Sequence, residues 1–114
     1  MKKLEALTSM DMIEDFLKNH ELSFLYVSRE DCGVCHAVLP RLRELLDQFP
    51  QIYLGHINAY EVEEIAAKFS IFNVPALLLF VDGKEVLREA RFIHFDELES
   101  RLEKIYGMYN QATS

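Results

Sequence analysis

The heptapeptide "LSFLYVS", Leu22 to Ser28, restricts the fold more than any other stretch of this chain. Apolar side chains occupy alternate positions of both parities, so both faces of the strand need cover. Such a strand belongs in the middle of a sheet with helices on each side. The chain has 114 residues, 50% of them apolar, which is enough for one core and too little for two ordinary domains.

The flanking sequence supplies those helices and the neighbouring strands. Thr8 or Ser9 caps a first helix whose apolar face is Met10, Ile13, Phe16 and Leu17, ending near Asn19 and His20. After Leu22–Ser28, Val34, Val38, Leu39, Leu42, Leu45, Leu46 and Phe49 step by three and four, which predicts a long helix kinked at Pro40. Ile52 to Asn58 reads as a second buried strand, and Glu61 to Phe69 as a short helix with Val62, Ile65, Ala66 and Phe69 inward. Right-handed crossover makes the two strands parallel neighbours. "ALLLFV" and "KEVLREA" then flank Asp82-Gly83, the dipeptide of a tight antiparallel hairpin. Asp96 with Glu99 has the capping-box pattern and opens a last helix carrying Leu98, Leu102, Ile105 and Tyr106 on one face. The expected class is α/β, a central mixed sheet flanked by helices on both faces. Residues 1–109 form the domain, and the polar tail Asn110 to Ser114 is the one candidate for disorder.

A net charge of −7, spread along the chain, repels phosphate backbones and excludes nucleic acid as a partner. Glu5, Asp11, Glu14 and Asp15 break up any apolar stretch of export-signal length near the start. The longest apolar run, Val74 to Val81, is far short of the roughly 20 residues that cross a bilayer. A cytoplasmic protein with no membrane partner is expected. In that compartment a close cysteine pair does chemistry or holds metal more often than it staples a fold.

That pair lies in "SREDCGVCHAVLPRL", between strand and helix. Cys32 falls at the helix start and Cys35 one turn in, so both sulfurs lie on one side of the first turn. The free N–H groups and positive dipole end there favour a thiolate on Cys32, with Cys35 as the resolving thiol. Gly33 has two readings, room for an approaching substrate strand or a backbone need of the turn. A zinc site needs four ligands, and the two cysteines are joined only by the scattered His20, His36, His56 and His94. His36 alone reads as a solvated helix residue.

Strand, "CGVC", helix with Pro40, strand, helix, "VPALLLF", "DG" hairpin and final helix together resemble the thioredoxin family over nearly the whole chain. The resemblance implies a cis peptide at Pro75, beside the cysteines, and a Val74 backbone that pairs with bound substrate. Without it Pro75 would be read as trans. Gly33, Val34, Val74 and Pro75 form the implied substrate-binding set. The chain departs from the family's "WCGPC" with "DCGVC": Asp31 and Glu30 put negative charge beside Cys32, and Val34 replaces a proline. Tyr26 matches the family's buried acid and, with an ordinary pKa of about 10, is a poor proton acceptor for Cys35. His56 matches a family lysine and titrates near neutral pH, so it is either a proton-transfer group or a plain core or rim residue. Ser28 stands at a family tryptophan position, and Trp is absent. Phe72, Phe92 and Tyr60 either replace part of that apolar rim or lie in the core. Arg91 and Phe92 stand where the family tends to have small residues, which narrows the groove.

The implied function is a thioredoxin-like thiol–disulfide oxidoreductase that reduces protein or small-molecule disulfides. Its cofactor is none beyond a Cys32–Cys35 disulfide. A reductase or low-molecular-weight thiol supplies electrons, and the expected state is a monomer. A second reading is a redox-sensing or partner-binding module without turnover, and a third a metal carrier using Cys32, Cys35 and His36 between two chains.

Overall fold

A computed structural model of the chain describes residues 1–113. Nine elements follow one another: β1 (Leu4–Ala6), α1 (Met10–Asn19), β2 (Leu22–Ser28), α2 (Gly33–Leu46), β3 (Tyr53–Asn58), α3 (Glu64–Phe69), β4 (Ala76–Val81), β5 (Lys84–Ala90) and α4 (Phe95–Thr113). The strands form one sheet in the order β1-β3-β2-β4-β5, so β2 is the middle strand, and all of its residues are buried. Its two neighbours differ in direction, β3 parallel and β4 antiparallel, and the sheet is mixed.

The period of the strand divides the core in two. Phe24 and Tyr26 face α2 and α4, with Val38, Leu42, Leu77, Leu98 and Leu102. Leu25 and Val27 face α1 and α3, with Ile13, Phe16, Ile65 and Leu78. At about 25 cal/mol per Å2 of apolar surface, cover on both faces is what makes so short a strand worth burying.

Several boundaries differ from the sequence reading. β1 was not expected: three residues show no period, and this edge strand stays partly exposed while pairing in parallel with β3 through Leu4 and Leu54. β3 begins at Tyr53 and α3 at Glu64, because residues 61 and 62 form a turn on the Asn58 carbonyl. Pro40 lies inside α2, and the helix runs on past it to Leu46. Val34, grouped by periodicity with the inward face, is exposed, and Cys35 takes the buried position of the first turn of α2. α4 starts at Phe95, which puts Asp96 inside the first turn rather than at the cap. His94 takes the capping place, its carbonyl accepting from the Leu98 N–H and its own N–H donating to the Glu89 carboxylate from β5 at 3.3 Å. Residues 110–113, expected as a tail, continue α4, with the Tyr109 hydroxyl on Glu21 and the Asn110 amide on the Tyr106 carbonyl. Ser114 lies outside the described residues.

The strand directions gather one end of the sheet. Ser28 ends β2 beside Asn58 of β3, and Val27 pairs with Ala76, which in turn pairs with Ala90. The β2–α2 loop, the β3–α3 loop, the bend before Ala76 and the segment after Ala90 therefore all leave the same edge.

Candidate active site

Cys32 is the N-cap of α2: its backbone is extended, and its carbonyl accepts the first helical bond from His36 N–H. The Cys35 N–H, one of the donors a helix start leaves unpaired, points at Cys32 Sγ at 3.1 Å. The two cysteines are joined by a disulfide across 5.2 Å between Cα atoms. Their environments differ: Cys32 is half-buried, while Cys35 is 1% exposed and sits in the core beneath the turn. The more accessible of the two sulfurs is thus the one at the positive end of α2.

Gly33 is exposed, and a Cβ there would meet nothing within 4 Å. It is also absent from the positive-φ residues, so neither backbone nor packing within this chain demands glycine. Beside it, Val34 is 57% exposed. The Val74–Pro75 peptide is cis. Pro75 is buried, and its carbonyl accepts from the Arg91 N–H at 2.8 Å. Val74 and Cys32 both pack against the core cluster under α2. Among the described residues, none bonds to the N–H or C=O of Val74.

Phe72, Phe92 and Tyr60 are not core: they are 84%, 69% and 53% exposed around the same edge. Arg91 adopts the left-handed region at φ 73, with its guanidinium 5.2 Å from the centre of the Phe92 ring. Between the β3–α3 loop and Val74 lies a groove of about 370 Å3, lined by Arg29, Tyr60, Ile65, Ile71, Phe72 and Val74. The sequence reading places Tyr60, Phe72 and Val74 at such a surface but not Arg29, Ile65 or Ile71, because the walls come from four separate segments. The two acids before Cys32 are engaged at the surface: Asp31 accepts from the Tyr60 hydroxyl at 2.9 Å, and Glu30 from the Asn58 amide at 2.9 Å. The bond to Asp31 holds the Tyr60 phenol above its ordinary pKa.

Beneath the disulfide, Tyr26 is buried and its hydroxyl donates to the backbone carbonyl of Cys35. Burial pushes its phenol well above the usual range, so this residue donates and does not take up protons near neutrality. His56 is the cross-strand partner of Tyr26, with ring centres 5.5 Å apart. Its Nε2 is 2.6 Å from Ser28 Oγ. Burial, and then the charge of His36, lower its pKa below the ordinary imidazole value. The Ser28–His56 pair is a second feature that the sequence did not disclose.

A helix-capping cysteine with a buried partner one turn on, beside a cis-proline at the edge of a mixed sheet, defines a thioredoxin-fold redox site. The thioredoxin family model matches residues 4–104, and the chain belongs to that family. It is 59% identical over 109 residues to the thioredoxin-like protein YdfQ of Bacillus subtilis, covering 96% of this chain and 97% of that one. Thioredoxin 1 of Chlorobaculum tepidum is 28% identical over 97 residues, 83% of this chain and 96% of its own. Among solved structures, oxidised thioredoxin O2 of Arabidopsis thaliana superposes with a TM-score of 0.80 at 21% identity, over 90% of this chain and 94% of that one. A Halobacterium salinarum thioredoxin variant gives the same score at 20% identity, over 90% and 89%. These structures share the fold. Family membership with the cysteine pair in place makes this chain a thiol–disulfide oxidoreductase.

Proposed function

We propose that the chain reduces disulfides of proteins or of small thiol adducts, with Cys32 as nucleophile and Cys35 as resolving thiol. The observation that carries this reading is the difference between the two sulfurs: one reachable at a helix N-terminus with the Cys35 N–H on it, the other buried behind it. The Cys32 thiolate attacks a substrate disulfide, forming a mixed disulfide and expelling one substrate thiolate. Cys35 then gives up its proton and attacks Cys32, the Cys32–substrate bond breaks, and the second substrate thiolate leaves. Two electrons pass to the substrate, and the Cys32–Cys35 disulfide waits for a reductase or a low-molecular-weight thiol.

Gly33 and Val34 leave the approach to Cys32 open, and Val74 offers its unpaired backbone groups to an extended substrate segment held against Pro75. Phe72, Phe92 and Tyr60 supply the apolar rim. The balance of acidic over basic residues argues against nucleic acid. No helix among the described residues is long and apolar enough to cross a membrane. A cytoplasmic monomer fits this reading.

One observation favours a second reading, a redox-dependent binding module without turnover: the buried group touching Cys35 is a phenol that cannot accept its proton. An assay with dithiothreitol and an added protein disulfide separates the two. The oxidoreductase turns over many equivalents, loses all activity in Cys32→Ser, and traps substrate through Cys32 in Cys35→Ser. A module shows no turnover above the thiol background.

A further inference from the structure

We infer that Asp31, by accepting the Tyr60 hydroxyl, fixes the Tyr60 ring as a wall for the polypeptide segment that carries a substrate disulfide, and that this pair favours protein disulfides over small ones; the inference rests on the exchange chemistry proposed above. Both ends of Tyr60 are tied to the loop that leads into Cys32. Its hydroxyl donates to Asp31 Oδ2 at 2.9 Å, its N–H donates to Asn58 Oδ1 at 3.0 Å, and the Asn58 amide donates to Glu30 Oε1 at 2.9 Å. With the Glu30–Asp31 peptide these three bonds close a ring that joins the β2–α2 loop to the β3–α3 loop. The backbone adds a fourth tie, the Ala59 N–H on the Ser28 carbonyl at 2.8 Å.

This closed ring of bonds decides where an exposed side chain points. Tyr60 is 53% exposed, and packing alone does not choose among the rotamers of a ring with so much open surface. The bond to Asp31 does choose, and because its acceptor is a carboxylate it is stronger than a bond between neutral groups. The hydroxyl end of Tyr60 is thereby held at the residue before Cys32, while the residue lines the groove with Ile65, Ile71, Phe72 and Val74. The Arg29 guanidinium lies 5.8 Å from the centre of the same ring.

The groove therefore begins next to the nucleophile. An extended segment that pairs with the Val74 backbone turns alternate side chains to one side, so a residue flanking the substrate cysteine falls against Tyr60 and Phe72. Apolar side chains fit those walls. A small disulfide has no flanking residue and leaves the groove empty. The same pair accounts for an acid beside the reactive sulfur: a carboxylate before Cys32 disfavours its thiolate, and the placement of Tyr60 is the offsetting gain.

The test compares two oxidants of the reduced full-length protein at pH 7, insulin as the protein disulfide and bis(2-hydroxyethyl) disulfide as a neutral small one. The readout is the ratio of their second-order rate constants, which cancels any change in the reactivity of Cys32 itself. Tyr60→Phe keeps the ring and removes the bond, and it lowers the ratio about fivefold, the scale of one hydrogen bond to a charged group. Asp31→Ala lowers it by the same factor. The double variant falls no further, because both changes remove one bond. Asp31→Asn keeps an acceptor oxygen without the charge and recovers at least half of the lost ratio. Additive losses in the double variant, or an Asp31→Asn ratio as low as that of Asp31→Ala, overturn the inference. A wild-type protein oxidised by neither reagent overturns the reductase reading beneath it; one oxidised by both, with the ratio unmoved in Tyr60→Phe, overturns the inference alone.

Discussion

Tyr26 shows how one side chain can settle both a packing and a chemical question. Its ring fills the space between β2 and α2, and its hydroxyl satisfies the Cys35 carbonyl at the first turn of the helix. Tyr26→Phe keeps the ring and removes the bond, which should cost about 1 kcal/mol in a urea-unfolding series at pH 7. The phenol is harder to ionise in the folded state than in the unfolded one. Its contribution is therefore complete below about pH 10 and is lost as pH rises above that, a loss that Tyr26→Phe should not show. His56 carries the opposite sign. Its pKa is lowered on folding, so the unfolded chain binds more protons as pH falls through about 6.5 toward the native value, and stability declines there. Unfolding midpoints at pH 7 and pH 5 should differ less in His56→Gln than in the wild type.

Among the elements, those closed by local chemistry were legible in the sequence and those closed by distant partners were not. β2 has the expected bounds because its own apolar run sets them, and the Asp82-Gly83 hairpin forms with both residues at positive φ, 51 and 80. Gly83→Ala should cost about 1 kcal/mol by thermal unfolding, since alanine tolerates that conformation poorly. β3 has a constraint of another kind: a Cβ on Gly55 would lie 2.5 Å from Leu7 Cδ1 and 3.2 Å from Phe16 Cε2. Gly55→Ala should destabilise by about 1–3 kcal/mol through overpacking. The start of α4 was misplaced because the carboxylate that caps it comes from Glu89 on β5, not from the Asp96–Glu99 pair nearby. β1 has no pattern to read and exists through its pairing with β3. The cysteines and Pro75 were visible as a motif in one stretch each, whereas the groove and the Ser28–His56 pair appear only once separate strands are in register.

At the scale of the whole molecule, a sheet covered on both faces presents one functional end, and the charge of −7 colours everything that approaches it. Cystamine, a dication, should be reduced several-fold faster than anionic oxidised glutathione at low salt, with the gap closing as ionic strength shortens the Debye length. Equal rates at low salt would show that the net charge does not reach the site. The account as a whole rests on the α2 terminus prevailing over Asp31 and Glu30 at Cys32. Iodoacetamide alkylation of the reduced protein across pH, with the modified residue located by peptide mass, measures that balance. It should label Cys32, leave Cys35 unmodified, and show a midpoint below about 8.5, the ordinary thiol value. A midpoint at or above that value, or equal labelling of Cys35, would contradict the account.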